Sequence, residues 1–241
     1  EIALKSVMRQ ILEALEYLAD RRIIHRDIKP SNILISGNHC IKIADFGLAR
    51  SATQADGREG KIDMTNNVVT MWYKAPELLL GSQRYSYAID VWSVGCVLAE
   101  LLLLRPLFPG KTEVEQLDCI FRTLGSPTED EWPELSTMPF HDKLFKNAPK
   151  FSKSSFRDVL VNDDIPEACI SLLERIFVKD PSRRCSARTA ISSRYFLTVP
   201  VAPEDPAELL PLMVSPETSL HEFETKQRRR QKEKYDKAQK E

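Results

Sequence analysis

Residues 25–47 read HRDIKPSNILISGNHCIKIADFG. Two triplets in this stretch, Ile33-Leu34-Ile35 and Ile41-Lys42-Ile43, are built on β-branched residues and predict short strands. Gly37-Asn38 between them has turn chemistry, so the strands are expected to pair as an antiparallel hairpin. Pro30 interrupts any helix in the polar residues ahead of the hairpin. A turn at Gly37-Asn38 puts Asn32, which precedes the first strand, and Asp45, which follows the second, at the same open end.

That placement has a chemical meaning. An amide oxygen beside a carboxylate suits Mg²⁺, a hard cation that takes oxygen ligands and is usually shared with substrate phosphates. Asp27, a few residues before Asn32, stands at the mouth of the same site, where it can accept a proton from a hydroxyl nucleophile. Lys29 adds positive charge where phosphoryl oxygens gather negative charge.

The rest of the chain reads as mainly α. Val7, Ile11, Leu15 and Leu18, with Met8 and Leu12 beside them, form a helical apolar stripe that stops before Arg21-Arg22. Residues 51–64 are polar, contain Gly57 and Gly60, and predict a loop. Ser86 to Leu104 predicts a long buried helix. Thr112 and Glu115 form a capping box ahead of Val114, Leu117, Phe121 and Leu124, and Gly125 suits the far end of that helix. Residues 126–164 are rich in Pro, Ser and Asp and show few clear elements. Asp164 with Glu167 predicts a second capped helix carrying Leu172, Leu173, Ile176 and Phe177, and a last short helix is expected from about Ser186. The composition shifts at Thr198 to a Pro-rich stretch and then a basic run, Lys226 to Lys240.

Composition sets outer bounds. At 241 residues, with 42% apolar and 29% charged residues, the chain has the makeup of a soluble globular protein with a sizeable core. A formal net charge of −1 gives no global reason for nucleic-acid or membrane binding. The five cysteines, Cys40, Cys96, Cys119, Cys169 and Cys185, are odd in number, scattered and without a CxxC pair. They are expected to be reduced thiols of an intracellular protein, mostly in the core. The most apolar run, Val91 to Leu104, is too short to span a membrane and carries Glu100. His39 and His141 are read as surface or turn residues.

The joint pattern of HRDIKPSN (25–32), DFG (45–47), WYKAPE (72–77), DVWSVG (90–95) and DPSRR (180–184) resembles the C-terminal lobe of a eukaryotic Ser/Thr protein kinase. Trp72, Trp92 and Trp132 match core positions of that family. The resemblance implies ATP and Mg²⁺ as cofactors and a set of roles. Asp27 is the catalytic base or orients the substrate, and Lys29 assists transfer. Asn32 and Asp45 hold Mg²⁺, and Leu34 floors the adenine. Thr70 orders the substrate platform beside Asp27 and Lys29. Asp90 braces the catalytic loop from the buried helix. Glu77 and Arg184 pair to hold the activation segment.

LLLG (78–81), RPLFPGKTEVEQL (105–117) and LGSPTEDEW (124–132) further resemble cyclin-dependent kinases. Thr65-Asn66-Asn67 lacks the tyrosine of a mitogen-activated kinase, which makes Thr65 the single expected phosphosite, with Arg26 and Arg50 receiving its phosphate. The loop and the tail HEFETKQRRRQ (221–231) resemble the transcriptional group, which acts on the repeats of the RNA polymerase II tail. Ala75, where elongation-type members carry Pro, and Lys74, in place of an Arg that helps select Pro after the phosphorylated residue, depart from the pattern. The basic tail reads as a solvated or disordered end, as a family-like tail with His221 and Glu222 near the nucleotide, or as a nuclear localisation signal.

The resemblance implies a cyclin partner and protein substrates with Ser/Thr-Pro, in the nucleus, the cytoplasm or both, with no direct nucleic-acid or membrane contact. The expected organisation is a kinase C-terminal lobe over 1–197 and a tail over 198–241. The Gly-rich phosphate loop, its lysine, the helix glutamate and the hinge have no counterpart in the 241 residues. The N-terminal β lobe is therefore expected to be absent and the chain inactive alone. A truncated, non-catalytic lobe acting as a binding module is the alternative.

Overall fold

The computed structural model describes residues 1–36, 39–52, 71–146 and 148–209. Helix α1 (Ile2–Asp20) forms where the apolar stripe predicts it, with Met8, Ile11, Leu12, Leu15 and Leu18 buried. Each such side chain contributes about 1.5–3 kcal/mol when removed from water. The chain then forms β1 (Ile23–Ile24), the polar loop, β2 (Ile33–Ile35) and β3 (Ile41–Ile43). Strands β2 and β3 pair antiparallel in the register Ile33↔Ile43, Leu34↔Lys42 and Ile35↔Ile41. The expected turn at Gly37-Asn38 lies outside the described residues, but Ser36 N–H donating to Cys40 O (3.0 Å) closes the hairpin around it. A second ladder was not legible in the sequence: β1 pairs antiparallel with β4 (Arg50–Ser51), Ile24 opposite Arg50. These two small sheets are the strands among the described residues.

The other regular elements among the described residues are mainly α-helices: α2 (Pro76–Leu79), α3 (Ala88–Leu103), α4 (Glu113–Leu124), α5 (Phe156–Asn162), α6 (Glu167–Ile176), α7 (Ala187–Ile191) and α8 (Arg194–Leu197). Helix α3 is the axle of the lobe. It is apolar on all sides, and every residue from Ile89 to Ala99 is buried, as expected of a helix surrounded by protein. Gly95 lets α6 approach closely, because a Cβ there would run into Ile176 and the Phe177 ring. Trp92, Phe108, Phe156 and Phe177 meet around this point at 5.0–6.0 Å between ring centres. Helix α1 packs across α3 and α7.

Lys5 on α1 is fully buried. Its ammonium donates to Thr198 O (2.8 Å), Thr198 Oγ1 (3.3 Å) and Pro200 O (3.1 Å), and lies 3.1 Å from a Glu1 carboxylate oxygen. Those partners answer the cost of burying a charge.

Several expectations are corrected. The long helix starts at Ala88 rather than Ser86, and its end emerges from the core, with Leu104 90% exposed and in the left-handed region (φ 55°). Thr112 caps α4 through the Glu115 N–H (3.2 Å), but the Glu115 carboxylate returns to Lys111 N (3.0 Å), one residue outside a true capping box. Asp164 does not cap α6; Pro166 holds the N-cap position, and Asp164 sits at φ 55° in the preceding turn. The stretch 126–164 contains α5 and a π turn at His141–Phe145, pinned by the buried Leu144, Phe145, Phe156 and Leu160. His39 is a turn residue, its N–H donating to Ser36 O (2.9 Å) in the β2–β3 connection, but it is buried rather than on the surface, with its carbonyl oxygen accepting from Gln10 of α1 (3.4 Å). Cys96 and Cys169 are buried, but Cys40, Cys119 and Cys185 are half-buried, so most of the thiols are not core residues. No helix among the described residues is long and apolar enough to cross a membrane.

Candidate active site

The site is built on the open end of the β2–β3 hairpin. Ala44 N–H donates to Asn32 O (2.8 Å), so Asn32 faces Ala44 across the ladder and Asp45 is the next residue. The Asn32 amide nitrogen donates to Asp27 twice, to its backbone oxygen (2.8 Å) and to Oδ2 (3.0 Å). With its nitrogen committed to Asp27, the amide oxygen of Asn32 is the atom left to face a cation. Lys29 Nζ lies 2.9 Å from Asp27 Oδ2, both side chains partly exposed. A pair of this exposure contributes on the order of 1 kcal/mol, weak enough for Lys29 to be drawn away by a phosphate.

Asp45 is exposed and held at φ 63°, its Oδ1 accepting from Gly47 N–H (3.2 Å). Left-handed backbone at a non-glycine residue is strain, and here it turns the chain at the site itself. Among the described residues no group of three or more His, Cys, Asp or Glu could hold a metal ion. The fit to Mg²⁺ therefore rests on a different donor set: one amide oxygen, one carboxylate and the oxygens of a phosphate, all hard ligands.

Two buried groups hold the loop. Asp90, on the first turn of α3, accepts from His25 N–H (2.8 Å, Oδ2) and Arg26 N–H (2.8 Å, Oδ1). Burial pushes its carboxyl up to about 6, and the two amide donors and the Arg26 charge hold that rise back. Arg26 itself sits at φ 70°. His25 is fully buried and its ring is a pin between the loop and the hairpin. Nδ1 accepts from Asp27 N–H (3.3 Å), which leaves Nε2 to carry the proton and donate to Ala44 O (3.1 Å). Burial lowers the His25 pKa, consistent with that neutral tautomer. The Phe46 ring meets it edge-on at 4.8 Å.

Glu77 and Arg184 form a fully buried pair through two parallel bonds, Nη1 to Oε1 (2.7 Å) and Nη2 to Oε2 (2.9 Å). Arg184 also donates to Val178 O (3.0 Å), Ala88 O (2.9 Å) and Lys179 O (3.3 Å), which satisfies all five guanidinium N–H groups. The pair ties α2 to the segment ahead of α7.

Of the other expected residues, Leu34 is half-buried on β2 opposite Lys42. Arg26 lies over the Tyr85 ring (5.2 Å), and Arg50 donates to Ala49 O (2.9 Å) on the strand paired with β1. Thr65, Thr70 and the tail with His221 and Glu222 lie outside the described residues. The His25 pin and the Tyr85 ring were not anticipated. A histidine beside an Arg-Asp pair gives no sequence signal of burial, and nothing around Tyr85 marks it as a partner of Arg26.

The sequence profile of the protein kinase domain matches residues 1–196. Cyclin-dependent kinase C-2 of Arabidopsis thaliana is 43% identical over 225 residues, covering 93% of this chain and 41% of that protein. Cyclin-dependent kinase C-3 of Oryza sativa subsp. japonica is 44% identical over 195 residues, 80% of this chain and 57% of that protein. The chain thus spans only part of the curated relatives it matches. Among solved structures, the yeast RNA Pol II CTD kinase CTDK-1 complex aligns with a TM-score of 0.75 at 36% identity, over 86% of this chain and 66% of the other. The chain belongs to the protein kinase family and is of the cyclin-dependent kinase type.

Proposed function

We propose that this chain is the C-terminal lobe of a protein Ser/Thr kinase that moves the γ-phosphoryl group of ATP to a Ser or Thr followed by Pro, in complex with a cyclin. The lobe is read as residues 1–197 and the tail as 198–241. The observation that carries this reading is the Asp27–Lys29–Asn32 network next to Asp45. Asp27 takes the proton of the attacking hydroxyl, and Asn32 fixes the carboxylate that does so. Lys29 leaves Asp27 for the phosphoryl oxygens as their negative charge grows. Mg²⁺, when bound by Asn32 and Asp45, neutralises phosphate charge. Leu34 lies under the adenine, and Thr70 joins the Asp27–Lys29 network. Thr65, once phosphorylated, draws Arg26 off Tyr85 and toward Arg50. The named kinase of the solved neighbour, a CTD kinase, supports the RNA polymerase II tail as the substrate and the nucleus as the place of action.

The test is a phosphorylation assay of the full-length gene product with its cyclin, on a peptide from the polymerase tail repeats and on a copy with Ser-Ala for Ser-Pro. The Ser-Pro peptide is the expected substrate, with turnover lost in Asp45→Ala and reduced about a thousandfold in Asp27→Asn. Activity retained in Asp45→Ala defeats the metal reading, and equal rates on both peptides defeat the Pro preference. The 241 residues alone are expected to show no kinase activity. A full-length gene product that binds substrates and never phosphorylates them favours the binding-module reading.

A further inference from the structure

A cavity of about 400 Å³ opens behind the catalytic loop, between the C-terminal half of α1, the start of α3 and the start of α7. It falls in the size range of small-molecule sites. None of the residues assigned above to transfer chemistry lines it, apart from the two supports Asp90 and Arg184. Its walls are mainly apolar: Leu15 and Ala19 from α1, Val91 from α3 and Ala187 from α7, with Tyr87 and Cys185 beside them. Its mouth is charged. Arg188 pairs with Glu16 (2.6 Å) and reaches Asp20 at 3.8 Å. Two carboxylates against one guanidinium leave an excess negative charge there. The Arg184 charge deeper in is already matched by Glu77.

We propose that this cavity is a second binding site, for a small organic ammonium ion with an apolar body, and that its occupation is felt at the catalytic loop. The apolar body packs against these walls, and the ammonium group completes the charge balance of Glu16, Asp20 and Arg188 at the mouth. An anion of the same shape meets the excess carboxylate charge, and a neutral ligand leaves it uncompensated. The link to the loop is Asp90. The same residue that lines the cavity holds the amides of His25 and Arg26. A ligand that packs against Val91 and Asp90 changes the setting of that carboxylate and so of the loop behind which it lies.

The experiment is a titration of the full chain with 4-phenylbutylamine, followed by the methyl signals of Leu15 and Val91 and the amide signals of His25 and Arg26. Saturable shifts of all four are expected, with the same-shaped 4-phenylbutanoate binding at least about tenfold more weakly. Ala187→Phe, which fills the cavity, is expected to abolish binding. The surface double variant Glu16→Gln/Asp20→Asn leaves the walls intact and is expected to weaken the amine several-fold while improving the carboxylate. Non-saturating shifts, equal affinity for amine and carboxylate, amine affinity unchanged in Glu16→Gln/Asp20→Asn, or silent His25 and Arg26 amides while the methyl groups saturate each overturn the proposal.

Discussion

Asp90→Asn is the most informative single change. The side chain keeps its shape, but an amide offers one acceptor where the carboxylate offers two. One of the His25 and Arg26 amides then faces an NH₂ group and loses its partner, a loss of about 1–3 kcal/mol. Against this stands the charge. Burial raises the Asp90 pKa from the ordinary 3.8 to about 6, so keeping it ionised in the fold at neutral pH costs about 3 kcal/mol. The variant is relieved of that cost, so the two effects nearly cancel in global stability near pH 7.5. They do not cancel in its pH dependence. A carboxyl with a raised pKa binds a proton in the fold before it does so in the unfolded chain. Its contribution therefore grows as pH falls from about 6 toward 3.8. From pH 7.5 to pH 5 the wild type gains about 1–2 kcal/mol, roughly a tenfold change in the folding equilibrium, and the Asn variant gains none of it. His25 acts in the opposite sense over part of this window. Its lowered pKa means the unfolded ring takes a proton first, which removes stability below about pH 6.5. That effect is common to both proteins and drops out of their difference. Urea unfolding of both at pH 7.5 and pH 5, with hydrogen exchange of the His25 and Arg26 amides, measures the two halves. Parallel stability changes in the two proteins refute the buried-carboxylate argument, and unchanged exchange at both amides refutes its role in holding the loop.

Replacing Arg184 with Met strands a buried Glu77 carboxylate and is expected to lower stability by about 3–5 kcal/mol in denaturant unfolding, whereas Glu77→Gln/Arg184→Met together lose less than the sum of the single changes. The His25 ring, read by its nitrogen chemical shifts, is expected to stay neutral with the proton on Nε2 well below pH 6.5; titration near the ordinary value contradicts its place as a buried pin. Thr112→Ala removes the oxygen that caps α4 and is expected to cost about 1 kcal/mol by thermal unfolding, with little effect on the β2–β3 hairpin as seen by NMR.

The parts of the fold that sequence displayed are those with strong local signals. Strands β2 and β3 fall on the two isoleucine-rich triplets because β-branched runs on either side of a Gly-Asn pair in the sequence have few alternatives. Helix α1 follows its stripe for the same reason. The misses are tertiary in origin. Helix α5 and the π turn form in a Pro- and Ser-rich stretch because Phe145 and Phe156 have a core to enter, which no window of sequence records. The β1–β4 ladder joins two-residue strands whose pairing depends on the turn of the loop between them. At the site, the grouping of Asn32 and Asp45 follows from counting along a hairpin. Arg26 over Tyr85, and the neutral His25 between Asp27 and Ala44, depend on burial and on side-chain directions that spacing does not encode.

The buried Lys5 has a consequence for how the protein is made. Its oxygen partners at Thr198 and Pro200 are 193 and 195 residues downstream. At ordinary rates of synthesis about 10–40 s separate the emergence of this ammonium from that of its partners. Through that interval α1 carries a charge on the face that will enter the core, so Lys5 keeps the first turn of the helix hydrated while the rest of the stripe collapses. The docking of α1 is therefore expected to be completed from the far end of the lobe, when Thr198 and Pro200 arrive.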